Sequence, residues 1–164
     1  MLRFSADEVF EMAQDMERQG IEFYRLTLQK SRTPELQSLL TNLAEMEQRH
    51  LQTFTELREA LSPDDRRRDA PVDPEDAEEH EHYIRTLVQS HVFGSGDDVW
   101  RSSQSALTAT DVLTRAAEIE KDSIVFLLEL QELVPAHQGR KEIDQILREE
   151  LRHLRMLHAR LKAE

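Results

Sequence analysis

Cysteine is absent from this chain. That excludes disulfides, thiolate nucleophiles, thiolate zinc sites and iron–sulfur clusters, and leaves any metal to oxygen and nitrogen ligands. Glycine and proline are scarce, with 4 and 5 among 164 residues, while Leu, Glu, Gln, Arg and Ala dominate. This is the vocabulary of helices rather than of sheets and tight turns, and the expected class is all-α. No apolar run approaches the ~20 residues needed to span a bilayer. The first residues, Met1 to Glu8, turn acidic before an apolar stretch of signal length develops, so the expected location is the cytoplasm. Basic residues are outnumbered, 21 to 33, for a formal net charge of −12. A field of that sign repels nucleic acid and anionic membranes and attracts cations, although most of such a surface serves only to keep a protein solvated.

The length suits one domain, 1–164, with a substantial core. Ser5 with Glu8 forms a capping-box pattern, and Val9, Ala13, Met16, Gly20 and Phe23 recur at helical spacing, which predicts a first helix from about 6 to about 31. Thr33 and Pro34 mark the start of a second helix reaching about Leu61, where Ser62 and Pro63 stop it. Residues 62–73 form a charged, proline-punctuated linker expected to be mobile, and 74–93 a crossover helix ended by Gly94-Ser95-Gly96. No strand precedes those glycines, so they make a turn rather than a phosphate loop. A further helix is predicted from Thr108 to Leu133, before Pro135, and a last one from about His137 onward.

A shift of 103 positions superimposes the two ends of the chain: Ser5 falls on Thr108, Val9 on Val112, Ala13 on Ala116, Ile21 on Ile124 and Phe23 on Phe126. The chain therefore reads as one helical hairpin, 5–61, repeated as 108–164 and joined by a crossover, 62–107. The surfaces have diverged, but Glu17 matches Glu120, Glu47 matches Glu150, Arg49 matches Arg152 and His50 matches His153.

Glu17 shares the apolar stripe of Ala13, Gly20 and Tyr24, and Glu120 that of Ala116, Ile124 and Leu127. A buried unpaired carboxylate costs several kcal/mol, so two at matched positions call for a cation. Each second helix supplies Glu-x-x-His, Glu47 with His50 and Glu150 with His153, whose side chains emerge about one turn apart on one face. A lone Glu-x-x-His in so charged a chain is weak evidence. Here both copies follow a stripe Glu by 30 residues (47 − 17 and 150 − 120). With the helices starting near 6 and 34, Glu17 and Glu47 both lie ~20 Å along, at mid-height of an antiparallel bundle. Four carboxylates balance two divalent ions, and oxidation to trivalent ions leaves two positive charges that a bridge derived from oxygen or peroxide would offset. Oxygen and imidazole ligands suit Fe or Mn, whereas tetrahedral zinc would leave ligands over.

These segments resemble the rubrerythrin branch of the ferritin-like diiron-carboxylate superfamily. The resemblance rests on Met16-Glu17-Arg18-Gln19-Gly20-Ile21-Glu22-Phe23-Tyr24, Glu47-x-x-His50, Ile119-Glu120-Lys121-Asp122-Ser123-Ile124-Val125-Phe126 and Glu150-x-x-His153. It implies a ferritin-like antiparallel four-helix bundle with Glu17 and Glu120 as terminal or chelating ligands, Glu47 and Glu150 as bridges, and one imidazole, His50 or His153, per metal. Tyr24 matches a tyrosine close to the iron centre and is the candidate catalytic group; its bland reading is a packed core aromatic. Two departures stand out. Peroxide-reducing relatives look to carry an extra Glu where this chain has Ser123, and the rubredoxin-like domain with its cysteine pairs is absent.

The expected activity is reduction of hydrogen peroxide or dioxygen at two Fe ions, Mn or mixed Mn/Fe being the alternatives, with electrons from an external donor. A ferroxidase handling iron for storage and a metal-free helical interaction module are the competing readings, and a homodimer or higher homo-oligomer is expected. His80 and His82 read as a solvated face rather than an accessory metal site. His91, His137 and His158 read as surface or packing residues, and Trp100 as an anchor for the crossover.

Overall fold

A computed structural model describes residues 5–67, 78–79, 82, 86, 88, 108–134 and 137–163. Four long helices, α1 (Ala6–Lys30), α2 (Pro34–Glu59), α3 (Ala109–Leu133) and α4 (Arg140–Leu161), form two hairpins, α1·α2 and α3·α4. The hairpins meet along α1·α3 and α2·α4. The result is an all-α four-helix bundle, with no strand among the described residues.

Both hairpins open on the same device. Ser5 Oγ accepts from Glu8 N at 3.3 Å while Ser5 N donates to the Glu8 carboxylate at 3.0 Å. At the repeated position Thr108 and Asp111 do the same, at 3.1 Å both ways. Each box satisfies two backbone N–H groups that a helix start leaves without partners. Thr33 stands at the start of α2 as expected, but its hydroxyl makes no capping bond, and Pro34 carries that end by its fixed φ.

Two boundaries differ from the sequence reading. The second helix stops at Glu59, two residues short of Leu61. The last helix starts at Arg140, three residues after His137, because Gly139 at φ 89° occupies its N-cap in the left-handed region. A Cβ there would lie 2.5 Å from Leu57 Cδ2; the leucine can swing aside, but the backbone angle cannot be relieved. Gly139→Ala is therefore expected to destabilise the fold by about 1–2 kcal/mol, read as a drop of several degrees in thermal midpoint. An unchanged midpoint would show that α4 can begin without this turn.

The start of the linker, expected to be mobile, makes a defined turn. Ser62 and Asp65 repeat the capping-box bonds at 3.2 and 3.3 Å, and Arg66 pairs with Asp7. Arg58 grips the same carboxylate through two nitrogens, at 3.1 and 2.9 Å, holding Asp7 below the usual carboxylate range. Of the expected crossover helix, residues 78, 79, 82, 86 and 88 are helical, and Val88 is buried against the bundle with its carbonyl accepting from Gln19 Nε2 at 3.2 Å. The remainder, with His80, His91 and Trp100, lies outside the described residues. Exposed His82, His137 and His158 match their reading as surface residues.

The core is divided in two. One apolar cluster joins Val9, Phe10 and Met16 of α1 to Phe54 of α2, Phe126 and Leu130 of α3, and Ile143 of α4. The other joins Phe23 and Tyr24 to Leu40 and Leu43, Val112 and Ile119, and Leu157. In α1 and α4 the chain runs from the first cluster to the second, and in α2 and α3 it runs back. The end of α2 therefore lies at the opposite end of the bundle from the start of α3, which is why so long a crossover is needed. Burying each large side chain of these clusters is worth roughly 1.5–3 kcal/mol. Between the clusters lies a polar layer.

Candidate metal centre

Every helix changes character at the same level. Along α1, Glu17 follows Met16 of the first cluster and precedes Phe23 of the second; along α2, Glu47 and His50 sit between Ala44 and Phe54. Glu120 likewise separates Ile119 from Phe126, and Glu150 and His153 separate Leu147 from Leu157. All six candidate residues are buried, the most exposed being Glu17 at 7% and Glu47 at 5%, and Glu120 and Glu150 at 0%. The structure brings these six residues together.

They form two overlapping groups, Glu17, Glu47, His50 and Glu150, and Glu47, Glu120, Glu150 and His153, in each of which one potential ligand atom per residue lies within 4.8 Å of the others. Glu47 and Glu150 belong to both. The Glu150 carboxylate is divided between the imidazoles, Oε1 lying 2.9 Å from His50 Nδ1 and Oε2 3.0 Å from His153 Nδ1. His50 Nδ1 also faces Glu47 at 3.4 Å and Glu17 at 3.7 Å, and His153 Nδ1 faces Glu120 at 3.5 Å. The two rings stack with centroids 6.0 Å apart and planes at 19°.

Crowding of charge away from bulk solvent sets the protonation. Burial, and then the Glu47 charge, push Glu17 well above the ordinary carboxylate range. Burial and neighbouring Glu150 push Glu120 up to about 8. For Glu150 burial acts upward too, but its contacts with Glu120, His153 and His50 bring it below its usual value. Burial alone would lower both imidazoles; instead the carboxylates around them raise His153 to about 10 and His50 well above its usual value. A cluster without cations thus retains protons in their stead.

Those protons do not complete it. His50 Nδ1, Glu120 Oε2 and Glu150 Oε1 are buried and, although charged neighbours lie at 2.9 and 3.5 Å, none makes a well-directed hydrogen bond. Such atoms are rare in folded proteins and ask for an ion or an equivalent partner. Four carboxylates and two imidazoles form a hard, six-residue O/N donor set that could coordinate a dinuclear metal site and that matches two divalent cations in charge. The residues present therefore fit a dinuclear metal centre.

Two residues support the cluster from outside. Tyr24, fully buried, donates its hydroxyl to Glu120 Oε1 at 2.6 Å; burial and the adjoining Glu120 charge hold the phenol well above its usual pKa. Its aromatic ring also packs edge-on against Phe23 at 5.3 Å, so the side chain lies both in the core and beside the cluster. Glu149 was not singled out from the sequence. Its carboxylate lies 3.1 Å from His50 Nε2, and it is the neighbour of Glu150 on the solvent side of α4, with its side chain 22% exposed. Although burial works upward on it, the bonds to His50 and Gln145 keep it below the usual carboxylate range. The sequence held one signal, a break in the repeat, since Glu149 falls on Met46 (149 − 103).

Fold and site together define a ferritin-like bundle with a buried Glu/His layer at its waist. The chain belongs to the rubrerythrin family, whose model matches residues 7–94, the first hairpin and part of the crossover. A crystal structure of a protein from Thermotoga maritima, provisionally described as a ferritin-like diiron-carboxylate protein, superposes with a TM-score of 0.71 at 21% identity, over 99% of this chain and 97% of that one. That likeness shows the shared fold across the second hairpin as well. No curated protein sequence matches the chain. Among the described residues no helix is long and apolar enough to cross a membrane.

Proposed function

We propose that the chain is a non-haem diiron protein that reduces hydrogen peroxide or dioxygen, with Glu17, Glu47, His50 and Glu150 holding one iron and Glu47, Glu120, Glu150 and His153 the other. The observation that carries this reading is the buried polar layer, in which carboxylates shared between two imidazoles leave polar atoms without a well-directed hydrogen bond. When bound, two irons supply the two electrons that peroxide reduction requires. The protein's own part is to exclude water and to fix the donors. The apolar clusters above and below close the layer, and Tyr24 positions Glu120 through its hydrogen bond. With no cysteine among these 164 residues, the electrons that restore the reduced state come from a donor outside them.

The test is anaerobic loading with Fe(II) followed by stopped-flow mixing with peroxide or with dioxygen. Stoichiometric oxidation with iron retained, and turnover once a reductant is added, supports the proposal. A second reading, oxidation of Fe(II) for storage, is favoured by Ser123, which stands where the resemblance would place a further carboxylate. It predicts continued Fe(II) uptake beyond two equivalents with release or mineral formation. Protein that binds neither iron nor manganese would sink both. In the same assay Tyr24→Phe is expected to slow oxidation about tenfold or more with iron content unchanged, in keeping with the roughly 1.5–3 kcal/mol of a hydrogen bond to a charged group.

A further inference from the structure

The two metal positions are copies by repeat but not by surroundings. His50 of α2 is held from behind by a carboxylate of α4, Nε2 to Glu149 Oε2 at 3.1 Å. Glu149 is itself fixed, its other oxygen accepting from Gln145 Nε2 at 3.2 Å and lying 3.5 Å from Arg152 Nη2. Among the described residues no carboxylate lies within ion-pair distance of His153 Nε2. The residue that would supply one by the repeat is Met46, half-buried and without charge. Tyr24 breaks the repeat the other way. Its hydroxyl engages Glu120, a donor of the His153 position, and its repeat partner is Leu127, which can make no such bond to Glu17.

An imidazole that gives its Nε2 proton to a carboxylate presents Nδ1 as a fixed lone pair and becomes the better electron donor. A ligand carboxylate that accepts a hydrogen bond has less charge to offer. Both differences act in the same direction. We infer that Glu149 is a positioning residue that makes the Glu17/Glu47/His50/Glu150 position the tighter of the two, so that divalent cations load in a fixed order, the His50 position first. This rests on the dinuclear reading above and adds to it an asymmetry that the duplicated ligand set conceals. The consequence is a protein that can hold one divalent cation firmly while exchanging the second.

Co(II) alone, added anaerobically, tests the order without any redox chemistry. Calorimetric titration of the metal-free protein is expected to show two steps whose affinities differ at least tenfold, and crystals grown with one equivalent to show the anomalous cobalt signal at His50. Glu149→Gln is expected to weaken the first step about 10–100-fold, the usual cost of losing a carboxylate behind a metal-binding histidine, and to spread the signal over both positions. Met46→Glu, which adds a carboxylate on the exposed side of α2, is expected to raise occupancy at His153, so the idea stays testable if the Glu149 variant folds poorly. Equal signals at one equivalent in the unaltered protein, or a preference undiminished in Glu149→Gln, would overturn the inference while leaving the dinuclear site standing. Failure to bind Co(II) at all would instead remove the dinuclear reading itself.

Discussion

Glu150→Gln is expected to reduce bound metal from two equivalents to less than one, a larger loss than removal of any terminal ligand. The reason is position: Glu150 belongs to both ligand groups and turns one oxygen toward each imidazole, at 2.9 and 3.0 Å. An amide offers only one oxygen and no charge, so one cation loses a donor and both lose half of their shared neutralisation. Glu120→Gln, by contrast, strips one group only and is expected to leave about one equivalent bound. Metal analysis after equilibrium dialysis separates the two variants. Thermal stability should fall with it. In the metal-free protein Glu150 lies between the two imidazoles, which help hold its carboxyl below the usual range, so an amide leaves both rings without their shared counter-charge. The metal-free Glu150→Gln protein is thus expected to melt lower than the unaltered metal-free protein. An unchanged or higher midpoint would mean that repulsion among the buried carboxylates outweighs the contacts of Glu150 with His50 and His153.

The second large effect is on pH dependence. Glu120 titrates near 8 in the folded chain against an ordinary 4.5, and His153 near 10 against 6.5. For a group whose pKa rises on folding, the folded state binds the proton more tightly. Its contribution to stability is therefore complete below the unfolded value and is lost as pH passes through the folded value. For Glu120 that window runs from 4.5 to about 8, and for His153 from 6.5 to about 10. Both act in one direction, so the metal-free protein is expected to lose thermal stability steadily between about pH 5 and about pH 9. Below this range the trend reverses as the lowered carboxyls Asp7, Asp65 and Asp111 take up protons. Two divalent cations displace the same protons, so loading should flatten the profile. Metal affinity should rise with pH, with protons released on binding. Melting curves at several pH values, with and without metal, and calorimetry in buffers of different ionisation enthalpy read both. A metal-free midpoint that climbs from pH 5 to pH 9 would contradict the buried cluster.

Much of this centre was legible beforehand because helices repeat every 3.6 residues and hairpins return the chain to the same level. Glu17, Glu47, His50, Glu120, Glu150 and His153 each interrupt an apolar stripe at mid-length, and a duplicated interruption of that kind has few other causes. Glu149 was hidden by the same regularity. It lies one residue, about 100° of helix rotation, from Glu150 and so falls outside the inward stripe. Only the neighbouring α2 turns it into a partner of His50. The start of α4 was misplaced for a local reason: the left-handed Gly139 ends the loop, and nothing in the preceding residues announces it.

The sequence by itself determined the helices, their pairing into repeated hairpins, and the identity and height of the six polar side chains, since all of these follow from periodicity, capping and internal symmetry along one dimension. Only the tertiary structure decided which carboxylates are shared and which imidazole is braced from behind. It also revealed which buried atoms lack a well-directed hydrogen bond. Those are relations between helices, set by how side chains from different elements meet in a buried layer, and a one-dimensional pattern does not encode the distances across it.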